Sequence, residues 1–101
     1  MIKFGYLMGF RNPRELSKLG DADFYTAMFE HIEYLDQAGF DTIWTTEHHF
    51  VDNGYLSSVM PMLAAMAART KRVKLGSFVL LGPFYHPLRR SEPSRLMTRQ
   101  R

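Results

Sequence analysis

The stretch GFDTIWTTEHHF, residues 39–50, decides the fold. It opens on Gly39, placed where a C′ glycine stops a helix, and runs on through β-branched and aromatic residues of strand length at 41–46. It closes on Glu47, His48 and His49, a polar strand end. Working upstream, Phe24, Met28, Ile32 and Leu35 recur at helical spacing, with Asp21 as the expected N-cap. Residues 10–20 hold Asn12-Pro13 and Gly20 and read as a loop, and residues 2–9 (IKFGYLMG) read as a buried strand. Downstream, Asp52, Asn53 and Gly54 mark a turn-rich loop, and Ser57 or Ser58 caps a second helix with Pro61 in its first turn. That helix ends in Arg69, Lys71 and Arg72, cations that complement a helix C-terminus. Residues 73–81 (VKLGSFVLL) read as a third strand, closed by Gly82-Pro83.

The order β-α-β-α-β with short connections implies parallel strands joined by right-handed crossovers. Such units build an open doubly wound sheet or a (β/α)₈ barrel, and in both the ligand sits at the carboxyl ends of the strands. Glu47, His48 and His49 lie at that end of the second strand, and His86 lies just past the third.

With 101 residues, 46% of them hydrophobic and 23% charged, the chain suits one small globular domain and not a disordered segment. The absence of cysteine excludes disulfides and thiolate metal sites. No signal peptide is expected, and the apolar run at residues 59–68 is about half of the ~20 residues a membrane span needs. A cytoplasmic protein without a membrane partner is the expectation. The net charge of +3 resides in the last residues, where Arg89, Arg90, Arg95, Arg99 and Arg101 face one acid, Glu92. That segment carries no aromatic residue and no reading motif, so no nucleic-acid partner is expected.

Three chemistries compete for the polar strand end. Neighbouring side chains on a strand point to opposite faces, so His48 and His49 cannot both ligate one ion, whereas Glu47 and His49 share a side. A metal hydrolase built on Glu47, His49 and His86 is thus conceivable, although no HxH or HExxH spacing is present. Acid–base work is the second option, with a carboxylate fixing the tautomer of a neighbouring imidazole. A hydrogen-bonded pair of structural histidines beside a loop is the third. Neither GxSxG, GxGxxG nor a P-loop occurs, so nucleophile-elbow and dinucleotide chemistry find no motif. The methionines and Trp44, Phe50 and Tyr55 suit a flavin or acyl pocket, and suit plain core equally well.

Three segments together resemble bacterial luciferase-like flavin monooxygenases: KFGYLMGFRNP (3–13), AGFDTIWTTEHHF (38–50) and ARTKRVKLGSFVLLGPFYHP (68–87). The middle segment is the most specific, and the resemblance covers about residues 2–88. It implies an α/β fold, the N-terminal β-α-β-α-β segment of a (β/α)₈ TIM barrel, incomplete in this chain because a full barrel takes ~250 residues. It also implies reduced FMN or a related deazaflavin, O₂, a small organic substrate, a flavin reductase as partner and a dimeric intact enzyme. By resemblance, His48 is the histidine beside the flavin ring, with Glu47 and His49 in catalytic support. Phe78 and Val79, with Ser77 before them, correspond to the flavin-contacting bulge of the third strand, where the family often has a non-proline cis peptide. No metal belongs to this site.

Residues 1–88 are therefore expected to be a partial luciferase-like barrel domain and residues 89–101 a basic tail, disordered or frameshifted. The sequence RSEPSRLMTRQR (90–101) lacks the acid-rich amphipathic pattern expected after HPLR. A lone chain of this kind is expected to be inactive, either a fragment of the monooxygenase or a non-catalytic remnant that needs a partner chain.

Overall fold

The computed structural model describes residues 1–52 and 56–89. Three strands, β1 (Gly5–Met8), β2 (Thr42–Thr45) and β3 (Lys74–Ser77), form a parallel sheet in the order β1-β2-β3. Helix α1 (Asp21–Gln37) links the first two strands and α2 (Val59–Arg69) the last two, and a short 3₁₀ turn, Gly82–Phe84, follows. This is the expected β-α-β-α-β order.

Helix α1 ends as its sequence dictates. Gly39 has φ of +88°, its N–H bonds the Asp36 carbonyl at 3.3 Å, and the Phe40 N–H bonds the Leu35 carbonyl at 3.1 Å. These are the two bonds of a Schellman motif, and only glycine takes that backbone conformation without steric cost. The start of the helix differs by one residue from expectation. Gly20 is the N-cap, while Asp21 enters the first turn with Asp23 and accepts a bond from Asn12 Nδ2 at 3.2 Å. The expected cap at Ser58 stands as the N-cap of α2, without a side-chain capping bond.

The strands are shorter than the apolar runs that encode them. β1 begins at Gly5; just before it, the Phe4 N–H bonds the Asp41 carboxylate at 2.8 Å while the Phe4 carbonyl accepts the Asp41 N–H at 2.9 Å. β3 stops at Ser77, not at 81, and the Leu81 N–H bonds the Glu47 carboxylate outside the sheet. Arg69 at the end of α2 reaches Glu33 of α1 at 3.1 Å and covers the Phe29 ring at 4.7 Å, so this cation ties the two helices together.

Both helices lie on one face of the sheet. Ile32 and Leu35 from α1, Leu63 and Met66 from α2, and Met8 and Ile43 from the strands form a buried core there. Strand alternation puts the register row Leu7–Trp44–Gly76 on the other face. Leu7 and Trp44 are 56% and 40% exposed on that open face. A Cβ on Gly76 would lie 2.5 Å from Trp44 Cζ3, so the glycine gives the indole its place over the sheet.

A second long-range tie sets the spacing of α1 and β3. Asp36, buried at the end of α1, accepts the backbone N–H groups of Lys71, Arg72 and Val73 at 2.9, 3.0 and 2.7 Å. Burial pushes its carboxyl up, but the three donors and the Arg72 charge outweigh burial and hold it below the usual carboxylate range. Of the tail expected at residues 89–101, all but Arg89 lies outside the described residues. No helix among the described residues is long and apolar enough to cross a membrane.

Candidate functional site at the carboxyl end of the sheet

The strand-end residues separate as alternation requires. Glu47 and His49 meet, with Nε2 of His49 2.7 Å from Oε1 of Glu47, whereas His48 between them is exposed. The His48 N–H bonds the Leu56 carbonyl at 2.9 Å, which ties the strand end to the residues just before α2.

The Glu47 side chain is wholly buried and fully bonded. Besides His49, its Oε1 accepts the Tyr85 hydroxyl at 3.0 Å, and its Oε2 accepts the Leu81 N–H at 2.7 Å. With three donors converging, the carboxylate acts as acceptor only, and the His49 nitrogen facing it carries the proton. The His49 ring lies 4.7 Å from that of Phe84. Burial, then the hydrogen bond to Glu47 and its charge, push the Tyr85 phenol above its ordinary range.

Beside this buried cluster the strand ends present an open apolar surface. The Phe78 N–H bonds the Thr45 carbonyl at 2.7 Å, which seats Phe78 next to the end of β2. The peptide joining Phe78 to Val79 is cis, and both side chains are more than half exposed. Ser77 is the last residue of β3, level with Thr45 in the register. The hydroxyl of Thr46, next in line after Thr45, is buried without a hydrogen-bond partner.

His86 does not join Glu47 and His49. It is exposed, and its Nδ1 accepts the Leu88 N–H at 3.3 Å. Among the described residues no group of three His, Cys, Asp or Glu side chains is arranged to hold a metal ion. The metal-hydrolase alternative thus lacks its ligand set. Tyr85 and Leu81 went unnoticed in the sequence because they lie 38 and 34 residues from the carboxylate they contact. The one local signal was the FYHP segment after Gly82-Pro83.

The surface fits a planar, amphipathic ring such as a flavin. It offers exposed apolar side chains (Leu7, Trp44, Phe78, Val79) and an exposed imidazole for polar ring atoms. Comparison with known proteins agrees with that chemistry. Residues 2–92 match a family profile described as luciferase-like monooxygenase. The alkanal monooxygenase alpha chain of Aliivibrio fischeri is 32% identical over 97 residues, which cover 95% of this chain and 26% of that protein. The oxygenase component of the flavin-dependent trigonelline monooxygenase of Acinetobacter baylyi is 34% identical over 64% of this chain and 18% of its own length. Among solved structures, the monooxygenase RslO1 from Streptomyces bottropensis superposes with a TM-score of 0.79 at 31% identity, over 98% of this chain and 30% of that one. The oxygenating constituent of 3,6-diketocamphane monooxygenase from Pseudomonas putida, solved with FMN, shares the fold with a TM-score of 0.81 at 17% identity. This chain thus spans less than a third of the length of each of these relatives.

Proposed function

Because the chain belongs to the luciferase-like monooxygenase family, we propose that it supplies the flavin-facing strands of an oxygenase site that uses reduced FMN and O₂ on a small organic substrate. The observation that carries this reading is the exposed His48 at the end of β2, three residues past the Thr45 carbonyl that seats Phe78. Bound there, reduced flavin supplies the electrons that activate O₂. The residues of this chain do the rest. Phe78, Val79 and Ser77 line one edge of the ring site, and the apolar face of Trp44 and Leu7 excludes water beside it. His48, exposed at the strand end, is the side chain placed to exchange a proton with a ring nitrogen. Glu47 and His49 support it from beneath. A reductase provides the flavin in its reduced form, FMN being preferred to a deazaflavin, and the intact enzyme works as a cytoplasmic dimer.

A second reading rests on the open sheet. β1 and β3 are both edge strands, and Leu7 and Trp44 are exposed between them. On this reading the 101-residue chain alone turns over no substrate and requires further barrel strands to cover that face. Titration with FMN separates the two readings, followed by quenching of Trp44, the sole tryptophan. Saturable quenching that His48→Ala weakens supports the flavin site. Absence of quenching up to millimolar FMN leaves only a partner-dependent, non-catalytic segment.

A further inference from the structure

The Glu47 carboxylate does more than hold His49. Its Oε2 takes the N–H of Leu81, at the entrance of the Gly82–Phe84 turn, and its Oε1 takes the hydroxyl of Tyr85, at the exit. The turn closes on itself through Phe84 N–H to Leu81 O and Tyr85 N–H to Gly82 O, both 3.0 Å. One buried carboxylate from the end of β2 thus grips both ends of a turn that follows β3. The segment between the sheet and this grip is short. Phe78 is fixed to Thr45 at one end and Leu81 to Glu47 at the other, so the Phe78–Val79 peptide is suspended between two anchors on the same strand end.

We propose that Glu47 and Tyr85 form a clamp that positions the Phe78–Val79 segment as one wall of the flavin site. This deepens the flavin reading and rests on it for the ligand. Tyr85 is a positioning residue: it touches neither ring nor substrate and acts through Glu47. The same carboxylate orients His49 by accepting its Nε2–H, while His48 between them is exposed. A side-chain hydroxyl 38 residues away therefore determines how rigidly the ring-facing wall is held.

Tyr85→Phe in the full chain tests this, because it deletes one donor and keeps the ring. Amide exchange read by NMR reports the clamp, and FMN titration reports its consequence. Loss of one bond to a buried carboxylate predicts roughly tenfold faster exchange at Leu81 and several-fold weaker FMN binding. The amides of Lys71, Arg72 and Val73, held by Asp36, should keep their wild-type protection, which excludes general loosening. Glu47→Gln should act in the same direction and more strongly, since its amide nitrogen must confront one of three donors. Unchanged Leu81 exchange in Tyr85→Phe would overturn the clamp. Faster exchange with unchanged FMN affinity would overturn its positioning role. A wild-type chain that binds no FMN would overturn the flavin reading, and Leu81 exchange would then decide the clamp on its own.

Discussion

Asp36 gives the sharpest test of how this small sheet is held together. Its carboxylate is 7% exposed and accepts three consecutive backbone N–H groups where the chain leaves α2 for β3. A hydrogen bond to a charged group contributes about 1.5–3 kcal/mol when its loss strands a buried donor. The Val73 bond is buried and counts nearly in full, whereas those of Lys71 and Arg72 are partly buried and water takes over much of their role. Asp36→Ala should therefore cost about 2–4 kcal/mol. Asp36→Asn keeps an oxygen for Arg72 and Val73 but turns an amide nitrogen toward the Lys71 N–H, and should cost about half as much. Urea unfolding followed by Trp44 fluorescence reads this directly. With an m-value of about 1–1.5 kcal/mol/M, the alanine variant should lose roughly 2 M in midpoint. The pH dependence has a definite sign. The folded carboxyl titrates below its unfolded value of ~3.9, so its contribution is complete above that pH and is lost as pH falls through the lower folded value. Wild type should destabilise on acidification in that window more steeply than Asp36→Asn. A midpoint for Asp36→Ala close to that of wild type, or acid profiles that coincide for all three proteins, would refute the reasoning.

Two glycines make further tests. Gly76→Ala would bring a methyl to 2.5 Å from the Trp44 ring, so the indole must tilt off the sheet. A shifted Trp44 emission maximum and a loss of about 1–3 kcal/mol are expected, and an unchanged spectrum would argue against the indole's position over Gly76. Gly39→Ala meets no neighbour within 4 Å, so its cost of about 1–2 kcal/mol should come from backbone alone, at φ of +88°. Gly39→Asn should recover part of that loss, because asparagine tolerates the left-handed region, and equal stability of the two variants would count against this account.

How much was legible in the sequence follows from how far apart the partners lie. Gly39 stops α1 with its N–H on the Asp36 carbonyl and that of Phe40 on the Leu35 carbonyl, all within six consecutive residues, so local pattern sufficed. The pairing of Glu47 with His49, and the separation of His48 from both, follows from the period of two in extended chain. The strands are shorter than their apolar runs, and near both ends side chains far along the chain take backbone N–H groups. Asp41 claims that of Phe4, 37 residues before it, and Glu47 claims that of Leu81, 34 residues after it.

The sequence by itself determined the order of elements, the parallel sheet, the place of the polar cluster at the carboxyl end of β2 and the family to which the chain belongs. Periodicity, turn residues and a long specific motif are all local information. Tertiary structure alone decided what the acids do. Asp36, which no local motif singles out, is the buried anchor of β3. Glu47 looked like a member of a reactive trio and is a saturated acceptor gripping the turn at Leu81 and Tyr85. A buried carboxylate must find donors, and in both residues most of those donors are far along the chain, where only folding brings them within reach.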